Sequence, residues 1–321
     1  MKKSGALALM ALVAACAQDN SVTGPAAERS ASSNAGAGSI SADGPGAVYA
    51  LTNAATGNSV AVYTRAADGS LSWQGSVSTG GLGAGSSLGS QGALALSDDG
   101  RWLFAVNAGS NDISAFRIGG AGLSLTSRVA SGGARPISLT ARGNLVYVLN
   151  AGGDGNISGF TIANDGALAP IPGSTRALSA AGVGPAQVSF SPHGQWLVVT
   201  EKATSRLDVF VVGIDGIASA AVTTPSPGGT PFGFAFGQHD ELFVSEAAGS
   251  ASSYVIDGGV LRVASGAVLT HQGAPCWAVV TKNGKFGYTA NAQGGSISGF
   301  AIGNDGDISL LDPDGSTAVV G

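Results

Sequence analysis

The chain has 321 residues, 52 of them Gly and 12 Pro, with 44% hydrophobic and only 11% charged residues. Disordered chains are poor in apolar residues, and helical bundles need the Glu, Lys, Arg and Gln that are scarce here, so both classes are excluded. A net charge of −5 with no Lys/Arg cluster excludes a phosphate-tracking surface, and nucleic acid is not an expected partner.

Lys2 and Lys3 precede an apolar run from Gly5 to Ala15, followed by Cys16. A basic start, a short apolar stretch and small residues before a cleavage point describe a secretory signal peptide, too short to span a bilayer. Val13-Ala14-Ala15-Cys16 resembles a bacterial lipobox, in which the Cys is lipidated and becomes the mature N-terminus. Residues 1–16 therefore read as a lipoprotein signal peptide. The expected location is the bacterial cell envelope, lipid-anchored through Cys16, at the periplasmic or outer-membrane face. Ala17 follows the Cys, and nothing resembles an inner-membrane retention signal. Residues 17–45, rich in Ser, Ala, Gly and Asn, read as a flexible tether. Cys276 is the second cysteine of two, so a lipid on Cys16 leaves it without an intramolecular partner. A four-cysteine zinc site is impossible and no close Cys or His pair has ligand spacing, so neither metal nor cofactor is expected.

From residue 47 one pattern recurs. An apolar strand, a turn such as Ser-Asp-Asp-Gly and a second strand ending in Asn or Glu come first. A Gly/Ser-rich loop follows, then a third strand ending in an aromatic residue, a Gly turn and a fourth strand. The polar marker falls at Asn53, Asn107, Asn150, Glu201, Glu246 and Asn291, and the aromatic one at Tyr63, Phe116, Phe160, Phe210, Tyr254 and Phe300. Two independent markers holding one register near 45 residues predict an all-β fold, a β-propeller of four-stranded blades over residues 46–321, with six repeats visible. Asp-Gly at 68–69, 99–100, 165–166, 215–216 and 305–306, and Asn-Gly at 283–284, supply the turns. The first copy lacks an inner strand, so STAVVG (316–321) either closes a six-bladed ring or the chain stops one blade early.

If the inner strands run downward from a top face, the segments leading into them gather there. They read Ala134-Arg135-Pro136, Val183-Gly184-Pro185, Gly229-Thr230-Pro231 and Gly273-Ala274-Pro275. Pro suits the first residue of a strand. Gln91, Ser138, Gln187 and Trp277 should line the top centre, with Glu201 and Glu246 at the rim, and mouths of closed β structures are common ligand sites. Arg135 is the leading candidate for holding a carboxylate, because its fork is bidentate. Lys202 would neutralise a ligand or pair with Glu201, and His271 is the one His placed to meet a ligand. Glu201 and Glu246 otherwise bond local backbone. His193 and His239 read as turn residues and Cys276 as packed strand. A Gly-x-Ser-x-Gly match at 85–89 lacks the strand and helix of a nucleophile elbow, and the surrounding GGLGAGSSLGS (80–90) lacks the Lys and helix of a phosphate loop.

The segment GPAQVSFSPHGQWLVVTEKATSRLDVF and the copies ending NAGSNDISAF and NAQGGSISGF resemble seven-bladed lactonase-type propellers. That is the family of bacterial 6-phosphogluconolactonase and carboxymuconate-lactonising enzyme, and the likeness extends to secreted lactonase-like propellers of unassigned activity. It covers about residues 46–312. The resemblance implies a seventh blade, hence a C-terminally truncated ring, and a Gly-Pro-Arg-His motif whose Arg and His act on the lactone. Here the matching residues are Gly184-Pro185-Ala186-Gln187, while the family's Glu is kept as Glu201. An earlier His-rich segment is replaced by Ser90-Gln91-Gly92-Ala93. The expectation is therefore a binding or scaffold role toward a small lactone or carbohydrate-like ligand, or a protein partner, on the top face. The competing expectation is a lactone hydrolase or cycloisomerase using Glu201 as general base, with Arg135 or Lys202 orienting a carboxylate.

Overall fold

The computed structural model of the protein describes residues 46–238 and 240–320. The signal peptide, Cys16, the tether and His239 lie outside the described residues.

The repeat folds as read: six antiparallel sheets follow one another along the chain, each ordered as its strands are in sequence. The first holds β1 (Ala47–Leu51), β2 (Ser59–Arg65) and β3 (Leu71–Ser78). The second holds β4 (Leu94–Leu96), β5 (Trp102–Asn107), β6 (Asp112–Gly119) and β7 (Gly122–Ala130). The third runs β8 (Ala134–Arg142), β9 (Leu145–Gly152), β10 (Asn156–Ile162), with an outer strand broken into β11 (Leu168–Pro170) and β12 (Arg176–Ala177). The fourth holds β13 (Pro185–Phe190), β14 (Trp196–Glu201), β15 (Arg206–Val211) and β16 (Val222–Pro225). The fifth holds β17 (Pro231–Phe236), β18 (Glu241–Glu246), β19 (Ser250–Asp257) and β20 (Val260–Leu269). The sixth runs β21 (Pro275–Val280), β22 (Phe286–Asn291), β23 (Ser296–Ile302), then β24 (Ile308–Leu310) and β25 (Ala318–Val319).

The turn chemistry explains the breaks between strands. The six Asp-Gly and Asn-Gly glycines have φ between 66° and 88°, a region closed to most side chains. The residue before each also works: Asp99 and Asp215 accept from the backbone N–H two residues on, both at 3.0 Å.

Second strands such as β5 are buried along their whole length, because a blade is covered on both faces by its neighbours. The core is accordingly a series of seams between successive blades. One seam packs Val60 and Val62 of the first blade on Leu103 and Phe116 of the second. Another packs Phe104 and Val106 on Leu139, Val146 and Phe160. The next sets Tyr147 and Leu149 against Phe190 and Phe210, and a fourth sets Val198 and Val209 against Phe234 and Tyr254. The last joins Phe243 to Ala278 and Phe300. Full burial of each such side chain contributes about 1.5–3 kcal/mol relative to exposure.

Among the described residues no such seam joins the sixth blade to the first. The sixth blade instead alternates: Cys276, Ala278, Thr289 and Ser298 are buried, whereas Trp277 is 42% and Val279 58% exposed. The register puts Trp277 opposite Ala290 and Val279 opposite Tyr288, so these four share the uncovered face. STAVVG does not supply the missing inner strand of the first blade; its residues Ala318 and Val319 pair with Ile297 and Ser296 of β23.

Candidate functional site

The residues leading into the inner strands share an unusual backbone. Arg135, Gly184, Thr230 and Ala274, each immediately before the strand's Pro, have φ of 53°, 59°, 60° and 52°. Only Gly184 takes this conformation without strain, and left-handed φ at non-Gly residues costs about 1–3 kcal/mol. The strain turns the top-face chain sharply into each inner strand. Arg135 is held there by its own N–H, which donates to Asn111 Oδ1 at 2.7 Å.

At the centre, polar side chains of one inner strand close the backbone of the next. Ser138 Oγ accepts from Val188 N at 3.1 Å, and Thr140 Oγ1 from Phe190 N at 3.2 Å. The Gln187 amide chelates one peptide: Nε2 donates to Phe234 O at 3.0 Å, and Oε1 accepts from Phe234 N at 2.7 Å. Gln91 repeats this on the sixth blade, donating to Ala278 O and accepting from Ala278 N, both at 2.9 Å. Gln91 N also donates to Ala186 O, and Gly92 O accepts from Leu139 N. The segment leading into β4 thus crosses the centre and touches the third, fourth and sixth blades. Gln187 and Ser138, expected to line an open top centre, are buried and bonded to neighbouring strands, because an amide matches a strand's paired N–H and C=O. Gln187→Ala would strand the Phe234 N–H, while Phe234 O keeps Gln91 Nε2 at 3.4 Å. We expect a loss of about 1–3 kcal/mol, read from guanidinium unfolding.

Glu201 and Glu246, expected at the rim, are wholly buried. They close the loops on the outer side of their strands. Glu201 accepts from Ser179 N at 3.0 Å, Ser179 Oγ at 2.6 Å and Thr204 Oγ1 at 2.6 Å. Glu246 accepts from Ser226 Oγ, Gly228 N, Ser250 Oγ and Ser252 Oγ. Beside Glu201 lies a residue that sequence reading missed. Asp208, also wholly buried, accepts from the same Ser179 N–H at 3.0 Å and from Thr223 Oγ1 at 2.6 Å. Burial, and then the adjoining Glu201 carboxyl, push its pKa up to about 7. The available signal was positional: the other four-stranded blades hold Ser114, Ser158, Ser252 or Ser298 at that place.

Three of the expected ligand residues do converge. Lys202 packs its ammonium over the Phe232 ring, 5.1 Å from the centroid, and donates to Gly89 O. Phe232 in turn meets Trp277 edge-on at 5.8 Å. Burial, and then the nearby Arg135 charge, lower the Lys202 pKa to about 8. Among the described residues neither cation is ion-paired with a carboxylate; Lys202 does not pair with Glu201. Arg135 is exposed, and its Nη2 lies 3.5 Å from Ser87 O. His271 is exposed beside the start of β21, with φ of 56°, and His193 is an exposed turn residue. Cys276 is wholly buried within β21.

Two hollows among the described residues lie between turns of the fifth and sixth blades. One of about 410 Å³ is lined by Glu241, Arg262, Asn304 and Asp305 among others, and contains none of the catalytic or ligand residues expected from the sequence. No described cluster of His, Cys, Asp and Glu has the makings of a metal site, and no described helix is long and apolar enough to cross a membrane.

Radially arranged four-stranded antiparallel blades, with short segments meeting at one centre, define a β-propeller. Residues 56–179 match the family model described as Lactonase, 7-bladed beta-propeller. Solved structures with the same fold include a putative 6-phosphogluconolactonase of Bacteroides fragilis, 16% identical with a TM-score of 0.68 over 88% of this chain and 83% of that one. A periplasmic gluconolactonase of Pseudomonas aeruginosa is 19% identical, TM-score 0.65, over 83% and 82%. A Lactobacillus plantarum protein is 17% identical, TM-score 0.69, over 85% and 82%. No curated protein sequence matches.

Proposed function

We propose that this chain is a lipid-anchored, extracytoplasmic lactonase-like propeller whose top face binds a small carboxylate or sugar-like ligand without hydrolysing it. The observation that carries this reading is the meeting of Arg135 and Lys202 beside Phe232 and Trp277, with no described carboxylate to neutralise them. Two cations and two aromatic rings suit an anion with a partly apolar body. The general base of the enzymatic alternative, Glu201, has both oxygens bonded to Ser179 and Thr204. A general base needs a free oxygen within reach of water or substrate.

A panel of small lactones, gluconolactone among them, tests the reading. We expect hydrolysis at the buffer rate; turnover that disappears in Glu201→Gln would overturn it in favour of the lactonase. The anchor has its own test. The sequence holds two cysteines, so a lipid on Cys16 and an intramolecular disulfide exclude each other. Mass spectrometry of the mature N-terminus should show a diacylated Cys16, and Cys16→Ser should move the protein from the membrane fraction to the soluble one.

A further inference from the structure

The side chains that gather on the top face share a target. Arg135 Nη2 reaches Ser87 O, Lys202 Nζ donates to Gly89 O, and Trp277 Nε1 donates to Ser90 O at 3.3 Å. Three donors from three different blades therefore address three carbonyls of one short Gly/Ser-rich segment of the same chain. Guanidinium, ammonium and indole N–H groups can only donate, and no side-chain acceptor joins the set. Peptide carbonyls are neutral partners for two cations, so the charge of the site is left unmatched by its present occupant. The segment has the backbone to move. Gly85 and Gly89 have φ of 65° and 59°, and the Gln91 clamp on Ala278 is a fixed post at its far end. Between them Leu88 is half-buried, packed on the two seams that flank the third blade.

We propose that residues 86–90 are a displaceable strap that fills, with its own carbonyls, a site built by Arg135, Lys202 and Trp277 for a small hydroxylated carboxylate. Resting on the top-face reading above, this adds the ligand's class and the element that masks it. A carboxylate would take the guanidinium and ammonium, ligand hydroxyls would replace the remaining carbonyl contacts, and the closed strap lowers apparent affinity by the fraction of molecules that are open. The depressed Lys202 pKa agrees with an ammonium that lacks its counter-ion.

The test is calorimetric titration of the full chain with sodium gluconate, with sorbitol as the uncharged control. Leu88→Gly, which loosens the strap's one apolar anchor, should bind gluconate at least tenfold more tightly than wild type, and sorbitol should give no heat. Adding Arg135→Ala or Lys202→Ala to Leu88→Gly should lose at least tenfold. Gly85→Ala strains the hinge before the strap at a left-handed φ, meeting only Ala55 and neither Leu88 nor Lys202, and should tighten binding in the same direction if Leu88→Gly does not fold. Hydrogen exchange of amides 86–90 should be faster in either variant, and faster still in wild type with gluconate. Equal, Arg135-dependent binding in wild type and variants would overturn the strap while leaving the top-face ligand reading intact. No gluconate binding by any variant would overturn both.

Discussion

Asp208→Ser should make the protein more stable at pH 8 than wild type, by about 1–3 kcal/mol, and should flatten its stability between pH 5 and 8. Asp208 and Glu201 are both wholly buried and share one N–H donor, Ser179, so two full negative charges cannot sit there cheaply. Burial and the Glu201 neighbour raise the Asp208 pKa from 3.8 to about 7. The sign follows from proton binding. Between roughly pH 4 and 7 the folded chain holds a proton that the unfolded chain has released, so stability falls as pH rises through that window and levels off above it. A tenfold difference in proton affinity between the two states is worth about 1.4 kcal/mol, and water or side chains that shift toward the ionised pair offset part of the loss. Serine is the replacement that the fold already uses. In the fifth blade Ser252 occupies the equivalent position and donates to Glu246 at 2.6 Å, neutral at every pH. Thr223 would lose its acceptor, which tempers the gain. Guanidinium unfolding at pH 5, 7 and 8.5 checks this, and a wild-type stability that rises over that range would refute the carboxyl pair.

The architecture was legible because two markers repeat in one register, and each is fixed by the blade itself. The aromatic marker fills the seam between blades: Phe116, Phe160, Phe210, Tyr254 and Phe300 are all buried. The polar marker closes the outer loop. The missing inner strand of the first blade was legible for the same reason, since residues 17–45, just before Ala47, hold no apolar run. The site was legible only in part. Arg135, Lys202 and Trp277 could be placed together from their positions in the repeat, but what they touch is the backbone of residues 87–90. Backbone carbonyls leave no trace in a pattern of side chains. Gln91 and Gln187 each clasp a peptide of a neighbouring inner strand, and a sequence does not tell an amide that meets a ligand from one that chelates a peptide. Asp208 escaped notice because it sits inside a strand, TSRLDVF, where a lone acid ordinarily points to solvent.

Glu246 is the position where the repeat pattern misleads most, and Glu246→Asn should be nearly as damaging as Glu246→Ala. Reading the repeats against one another, Asn is the majority residue at that marker and would pass as a conservative change. The hydrogen bonds run in opposite directions, however. Asn107 donates through Nδ2 to Asp112 and Ser114, and Asn291 donates to Ser296 and Ser298. Glu246 can only accept when ionised, and its surroundings are built as donors: three serine hydroxyls and the Gly228 N–H, all on its two oxygens. Serine hydroxyls can rotate toward other acceptors, and Ser226 already has Tyr254 nearby at 3.1 Å, but the Gly228 N–H has no such freedom. Removing the carboxylate leaves buried donors unsatisfied at about 1–3 kcal/mol each, and with the Gly228 N–H and part of the serine set stranded the loss should be about 3–5 kcal/mol. With a shift of about 2–4 °C per kcal/mol for a domain of this general size, the melting temperature should fall by about 10 °C. Asn is one methylene shorter and brings an NH₂ into a shell of donors, so it restores little of that loss. Glu246→Gln keeps the length and one acceptor oxygen, and should lie between wild type and Glu246→Ala. Thermal unfolding of the three variants at pH 7 orders them, and an Asn variant as stable as wild type would mean that the marker is interchangeable between blades.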